Sequence, residues 1–307
     1  MNPLRKRINL IFGVLCIPIA FQFFLGFLLG ILTVLRKYGI FLSDYTLSFV
    51  IPQTVYPLLN ALLALTVLLF LPRQRGVKGM FQPVKKDFFP WFGFFLGAVT
   101  VGNFANNFLM TLFERLTGIG LPAVFSEYDP STVGQGVLFF FVIAVLPAVS
   151  EELLFRGLGG GGLAEFHPAG AVALSAFAFG LMHATVQQIP FAVFMGLVFG
   201  LIYVRTGNLL YPILLHFANN AWACAITFLQ IAFGEEVTGI VYLIGSTVFF
   251  VAGIVSFRWL KKNGRLTLKE APARVDGKTV LQSTLTSVGF WGFTALHLLL
   301  TVLNLMS

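Results

Sequence analysis

The chain has 307 residues, of which 57% are hydrophobic and 10% are charged, and its formal net charge is +8. In soluble domains about a quarter of the residues are charged. Together with a mean hydropathy of +0.88, this composition excludes an ordinary soluble protein. It predicts an integral membrane protein that crosses the bilayer several times.

Nine apolar runs follow one another along the chain, and a run of roughly 20 residues is enough to cross a hydrocarbon core of about 30 Å. The runs are apolar on every face, whereas the strands of a membrane barrel alternate in polarity over about 10 residues. We therefore predict an all-α fold, a polytopic transmembrane helical bundle of about eight to nine spans. The predicted spans are 8–35, 47–71, 88–113, 133–155, 168–185, 189–204, 209–232, 237–260 and 288–306.

The distribution of charge predicts the orientation of these helices. Lysine and arginine are concentrated at Arg5 to Arg7, 73–86 and 258–278. With a cytoplasmic N-terminus, nine alternating spans place all three stretches on the cytoplasmic side, as the positive-inside bias requires. Arg36 and Lys37 are the exception, because they fall on the other side. The acidic loop residues Glu127, Asp129, Glu235 and Glu236 then fall on the other side. We expect anionic lipid at the basic loops and no nucleic acid, for which the sequence carries no motif.

The stretch SEELLFRG places three charges at the end of an uncharged apolar run. An ionisable residue inside a span is costly, so each is a functional hypothesis. Glu152 and Arg156 stand at i, i+4 and are predicted to pair on one helix face. Glu151 points about 100° away and is left as a free carboxylate that suits general-base work. The structural alternative is a cluster that snorkels to the membrane interface.

Two histidines lie in later spans, each with a partner four residues away. Phe179 and His183 form one such pair, and His216 and Asn220 form the other. A single histidine in an apolar helix is more often a packing residue. Two histidines, an amide and a free glutamate in one bundle instead offer a base, a second proton carrier and donors for an oxyanion.

The ordered set EExxxR, FxxxH and HxxxN resembles the CPBP family of intramembrane proteases, which includes the CAAX proteases and bacteriocin-processing enzymes and is also called the abortive-infection family. The matching residues are Glu151, Glu152, Arg156, Phe179, His183, His216 and Asn220. Each motif alone is short, but all of them fall at or inside predicted spans in the same order. The resemblance covers roughly residues 147–220.

The resemblance implies an intramembrane endopeptidase with its active site inside the bundle, acting on a peptide or membrane-protein substrate. Glu151 would activate a water together with His183, and His216 with Asn220 would stabilise the oxyanion. Glu152, Arg156 and Phe179 would support them. We divide the chain into N-terminal transmembrane helices (1–132), a catalytic transmembrane core (133–232) and C-terminal helices with a basic cytoplasmic loop (233–307). The expected location is a bacterial plasma membrane.

Two alternatives remain open. Glu151, His183 and His216 resemble a two-histidine, one-carboxylate zinc site, although HExxH is absent, and we expect no cofactor. Cys16 and Cys224 lie in spans without a metal-type partner and are expected to be core residues. The other alternative is a protein without activity, such as a membrane scaffold, a transporter or a bacteriocin self-immunity protein.

The chain has three further local features. The glycine-rich segment after Gly157 is expected to be a flexible link, and at 1.5 Å per residue it leaves His183 deeper in the membrane than Glu151. His167 is expected at the interface. His297 is expected to be a packing residue of the last helix.

Overall fold

A computed structural model describes residues 2–38, 43–70, 77–121, 130–268 and 273–306. Within these ranges the chain forms helices and no strand, so the predicted all-α class is confirmed. The predicted acidic residues Glu127 and Asp129, and the first part of the basic stretch 73–86, lie outside the described residues. The helices are α1 (Pro3–Leu35), α2 (Thr46–Phe70), α3 (Phe88–Thr117), α4 (Val133–Ala164), α5 (Pro168–Met182), α6 (Ile189–Thr206), α7 (Leu210–Lys262), α8 (Gly277–Leu285) and α9 (Val288–Met306).

The helix α7 is a hairpin. Gly234 has φ 76° and ψ −179°, a conformation open to glycine because it lacks a Cβ. The rings of Trp222 and Phe249 contact each other at 5.0 Å, whereas a straight helix would separate them by about 40 Å. The chain therefore turns back at Gly234, and its two arms (210–233 and 235–262) correspond to the seventh and eighth predicted spans.

Seven helices in the described ranges are long and apolar enough to cross a membrane, and α7 is one of them. Because α7 is a hairpin, these seven helices supply eight crossings. The remaining apolar helix, α5, has 15 residues and is shorter than a full span. The prediction of a polytopic bundle with about eight to nine spans is therefore confirmed, and the chain is an integral multi-pass membrane protein.

Large apolar side chains face outward along these helices, as lipid contact requires. Phe27 of α1 is 69% exposed, Leu69 of α2 is 73% exposed and Ile240 of the second α7 arm is 55% exposed. In water such side chains would form an unfavourable surface. In a bilayer they are the solvated surface of the bundle.

Residues of the first and third basic stretches lie together at one end of the bundle. Glu165 forms ion pairs with Arg7 at 3.3 Å and with Arg274 at 3.8 Å. On the other side of the same end, Arg265 lies 3.9 Å from Asp87. The tip of the α7 hairpin lies about 36 Å from the start of that helix and so reaches the opposite end. We call the end that contains Glu165 the basic end.

The glycine-rich segment after Gly157 is helical, which corrects both the predicted flexible link and the predicted end of the span at residue 155. The helix α4 continues to Ala164, and residues Leu153–Gly160 form a π-helical stretch that is buried throughout. Glycine is used here for close packing: a Cβ on Gly161 would lie 2.9 Å from Tyr203 Oη. A Cβ on Gly157 would likewise lie 3.3 Å from side-chain atoms of Leu68 and of Met80.

This extension of α4 places the candidate residues at one depth. Counted from the basic end at 1.5 Å per residue, Glu151 lies about 20 Å inside the bundle and His183, counted from Pro168, lies about 22 Å inside. The sequence predicted His183 to be the deeper of the two. The difference disappears because the residues after Gly157 are helical and extend the distance from Glu151 to the surface.

Two helices cross with their backbones in contact. A Cβ on Gly97 of α3 would lie 2.6 Å from the Cα of Gly253 in the second arm of α7. One turn away, a Cβ on Gly93 would lie 2.1 Å from Ser256 Oγ. Close approach through small residues is a common mode of helix association in membranes. It fixes the hairpin against α3.

Candidate active site

The candidate site lies in the middle of α4, between two π-helical stretches. Glu151 and Glu152 end the α-helical stretch Leu146–Glu152, which Phe141–Val145 precedes and Leu153–Gly160 follows. Such π-bulges are frequent at functional sites because they leave backbone groups without their usual helical partners. In the first of these stretches, the carbonyl of Ile143 accepts a hydrogen bond from Asn220 Nδ2 at 3.0 Å.

The predicted pair between Glu152 and Arg156 is present. Arg156 Nη1 donates to Glu152 Oε1 at 2.9 Å, and both side chains have no solvent exposure. Arg156 Nη2 donates to the carbonyl of Gly196 at 3.3 Å. The guanidinium lies 4.2 Å from the ring centre of Phe179, which adds a cation–π contact. A buried charge needs partners of this kind.

His216 lies between the two glutamates. Its Nδ1 is 2.9 Å from Glu152 Oε1, and its Nε2 is 3.9 Å from Glu151 Oε2. Because a carboxylate that is paired with arginine is an acceptor, Nδ1 carries the hydrogen of this bond. The imidazole also stacks on the ring of Phe199 at 5.3 Å with an interplanar angle of 20°. These contacts fix the ring so that Nε2 faces Glu151.

Glu151 is the freer of the two carboxylates. Its side chain is 16% exposed, and its buried Oε2 makes no hydrogen bond within the described part of the chain. Tyr56 of α2 interacts electrostatically with this carboxylate and forms a side-chain hydrogen bond with Asn60. Glu151 is therefore a mostly buried carboxylate with one oxygen that is not engaged by the described residues.

His183 caps the end of α5, one turn after Phe179. Its Nδ1 lies 2.9 Å from the carbonyl of Phe179, so Nδ1 carries the hydrogen of this bond, and in the neutral imidazole Nε2 is then the acceptor. The ring of Phe179 contacts both histidines, His183 at 5.1 Å and His216 at 5.7 Å between ring centres. The structure thus brings the two histidines to one aromatic ring. Among the described residues, His183 and Glu151 are not directly hydrogen-bonded.

Asn220 is one helical turn beyond His216, and its side chain is shared between two neighbours. Its Nδ2 donates to the Ile143 carbonyl, and its Oδ1 accepts a hydrogen bond from Asn219 Nδ2 at 3.1 Å. An amide nitrogen carries two hydrogens. One of them therefore remains for a further acceptor.

One segment of the chain, which contains the candidate site, is similar to a known family. Residues 133–222 match the family model described as Type II CAAX prenyl endopeptidase Rce1-like. The resemblance to the CPBP family is confirmed. The comparisons with curated proteins and with solved structures gave no match. The Rce1-like match indicates an intramembrane protease with a peptide or protein substrate.

The Rce1-like segment runs from the start of α4 into the first arm of α7 and contains every candidate site residue. Sequence patterns missed Phe199, which stacks on His216. They also missed Tyr56, which interacts electrostatically with Glu151, and its partner Asn60. Asn60 is 1% exposed, and a polar residue within an apolar span was a signal that could have identified it. Phe199 offered no such signal, because it is one of 36 phenylalanines in the chain.

The residues named for zinc do not form a ligand cluster. In the described ranges, no three His, Cys, Asp or Glu side chains are grouped so that they could hold a metal ion. His216 Nδ1 is bound to Glu152 and His183 Nδ1 to a backbone carbonyl, which leaves the Nε2 atom of each ring outside these bonds. Cys224 is buried and Cys16 is partly buried, and both are free thiols.

The other two histidines lie away from the site. His167 caps the start of α5, where its Nδ1 accepts a hydrogen bond from the backbone N–H of Gly170. His297 is 1% exposed and bonds to the carbonyl of Phe293 in its own helix, which agrees with its predicted packing role.

Proposed function

We propose that the protein is an intramembrane endopeptidase in which Glu151 activates a water for attack on a peptide carbonyl. The observation that supports this most directly is the position of His216, whose Nε2 faces Glu151 Oε2 at 3.9 Å while Nδ1 is held by Glu152. A contact of this length suits a bridging water. Glu152 and Arg156 then act as support that orients His216.

In the proposed reaction, His216 Nε2 is a hydrogen-bond donor to the oxyanion. Because Nδ1 already donates to Glu152, this role requires that Nε2 carry a hydrogen of its own. That hydrogen would stabilise the oxyanion, together with the amide hydrogen of Asn220 that the Ile143 carbonyl leaves free.

The proposed steps conserve charge. The water oxygen bonds to the peptide carbon while Glu151 takes its proton, and the carbonyl oxygen becomes the oxyanion. The loss of one negative charge at Glu151 is matched by the negative charge on this oxygen. When the intermediate collapses, the C–N bond breaks and Glu151 returns the proton to the leaving amine. The Nε2 of His183 is a candidate acceptor that orients the water.

The substrate class and the membrane orientation are also part of the proposal. The family description makes prenylated CAAX peptides the first substrates to test. In the predicted orientation the basic end, where α5 begins, lies on the cytoplasmic side. The membrane is expected to be a bacterial plasma membrane. Anionic lipid would contact the basic end.

A cleavage assay tests the proposal. Purified protein in detergent is incubated with quenched peptides, including prenylated CAAX sequences, as wild type, as Glu151→Gln and as Glu235→Gln. The control residue Glu235 is exposed at the hairpin tip. We expect Glu151→Gln to lose about 10²–10⁴-fold in kcat and Glu235→Gln to keep the wild-type rate.

Each other outcome identifies an alternative. Full activity of Glu151→Gln would overturn the role of Glu151. Loss of wild-type activity with 1,10-phenanthroline would favour the zinc alternative over a metal-free mechanism. A folded wild-type protein that cleaves none of the peptides would favour a scaffold or a bacteriocin self-immunity protein.

A further inference from the structure

The residue after His183 has an unusual backbone conformation. Ala184 has φ 51°, and among the described residues it alone has a positive φ without being glycine. The left-handed region costs an L-amino acid free energy because its Cβ approaches the backbone. Such conformations persist where the surroundings enforce them, and they cluster at functional sites. The contacts around Ala184 therefore bear on the placement of His183.

The last helix supplies one of these contacts. Asn304 Nδ2 of α9 donates a hydrogen bond to the carbonyl of Ala184 at 2.9 Å. The methyl group of Ala184 is buried and packs in a cluster with Ile19 of α1 and Leu300 of α9. The first and last helices of the chain thus hold the peptide unit that follows His183.

The helix α9 is itself fixed at its other end. Asn9 Oδ1 of α1 accepts hydrogen bonds from Ser287 Oγ at 2.7 Å and from the N–H of Gly289 at 2.9 Å. A Cβ on Gly289 would lie 2.7 Å from the Asn9 carbonyl, so the two backbones are in close contact. Phe12 packs edge-on against Phe290 at 5.2 Å. The position of Asn304 along the membrane is therefore set by this anchor.

Asn304 and His183 lie at similar depths in the bundle. Asn304 lies about 24 Å along α9 from Val288, close to the depth of about 22 Å found for His183. Its side chain is exposed on the outer side of the bundle, and α9 ends two residues later at Met306. The hydrogen bond to Ala184 is therefore made at the end of α9 that lies opposite its anchor to α1.

We propose that Asn304 is a positioning residue for His183. It binds the Ala184 carbonyl, keeps Ala184 in its left-handed conformation and so holds the His183 ring, whose Nδ1 is fixed by the Phe179 carbonyl. This inference rests on the proposed function, in which His183 orients the attacking water. It assigns the last helix, which lies outside the matched segment, a part in the reaction.

The test compares Asn304→Leu, Asn304→Gln and Thr301→Val in the cleavage assay. Leucine removes the amide at nearly constant size, glutamine keeps an amide donor, and Thr301 is a matched control because its hydroxyl bonds to its own helix at His297 O. Since misplacement of a catalytic group by about 1 Å can cost 10²-fold, we expect kcat of Asn304→Leu to fall roughly 10- to 100-fold with KM unchanged. Glutamine should recover part of kcat, and Thr301→Val should keep it.

A double variant guards against a simple folding defect. In the Ala184→Gly background the left-handed conformation costs little, so Asn304→Leu should lower kcat less there than in the wild type. Equal losses in both backgrounds would overturn the positioning role, as would wild-type kcat for Asn304→Leu while Glu151→Gln is inactive. An active Glu151→Gln would instead contradict the proposed function itself. Thermal unfolding of each variant shows whether the fold is kept.

Discussion

Glu152 Oε1 and His216 Nδ1 lie 2.9 Å apart, although 64 residues separate them in the sequence. The same oxygen accepts a hydrogen bond from Arg156. One atom thus joins the middle of α4 to the first arm of α7. It fixes the side of the imidazole that faces Glu151, so the charge at Glu152 controls both the stability of the buried cluster and the geometry of the site.

The first prediction concerns this charge. Glu152→Gln leaves Arg156, which has no solvent exposure, without its counter-ion. Breaking a buried pair on one side costs about 3–5 kcal/mol in the free energy of unfolding. We expect a loss of that size in detergent unfolding experiments. Arg258→Gln, at an exposed position on the second arm of α7, should change stability by less than about 0.5 kcal/mol.

Removing both charges separates stability from activity. The double variant Glu152→Gln with Arg156→Met should recover most of the lost stability, because replacement of a whole buried pair is often neutral. It should remain poorly active, since His216 has lost its charged acceptor. Recovery of full activity would contradict the proposed orienting role of Glu152.

Asn220→Asp is the second prediction. Aspartate has nearly the same shape but no amide hydrogen, so the Ile143 carbonyl and the proposed oxyanion both lose a donor. Removal of one oxyanion donor typically lowers kcat by about 10²–10³-fold, and we expect a loss of this order with little change in KM. Thr227→Val on the same arm, whose hydroxyl bonds only to the carbonyl of Ala223, serves as the control. A purely structural Asn220 would give parallel losses in activity and in unfolding temperature.

The contact between α3 and the hairpin gives the third prediction. Gly97→Ala places a Cβ 2.6 Å from Gly253 Cα, and backbone cannot move aside as a flexible side chain can. We expect about 1–3 kcal/mol of destabilisation, as for overpacked cores. Gly239→Ala has no atom within 4 Å of the new Cβ and should be neutral or slightly stabilising, because alanine favours a helix over glycine. Equal stability of the two variants would show that the helices adjust freely.

The fourth prediction concerns lipid at the basic end. Arg258 and Lys261 are exposed on the last turns of the α7 hairpin and border an apolar groove formed with α3 and α6. Replacing both with glutamine should lower the amount of phosphatidylglycerol that copurifies, relative to phosphatidylcholine, since each cation near the surface contributes about 1 kcal/mol to binding anionic lipid. Asn304→Leu, far from this end, should leave the ratio unchanged. An unchanged ratio in the glutamine variant would argue against a preference for anionic lipid there.

The sequence by itself determined the membrane class, the approximate spans and the pairing of Glu152 with Arg156. These properties are local: hydropathy over about 20 residues and the i, i+4 spacing of a helix report which residues share a segment or a face. The ordered motifs also identified the segment that matches the Rce1-like family model. In the glycine-rich part of α4, composition led to a wrong prediction of flexibility. The glycines are there because larger residues would collide with Tyr203 and Leu68.

Only the tertiary structure decided which helices meet. It placed His216 against Glu152, stacked it on Phe199 and brought Asn304 to the carbonyl that follows His183. It also brought Glu151 and His183 to similar depths by extending α4 to Ala164. Periodicity along one helix carries no information about its distance from another helix, because that distance depends on how the small and large side chains of both helices fit together.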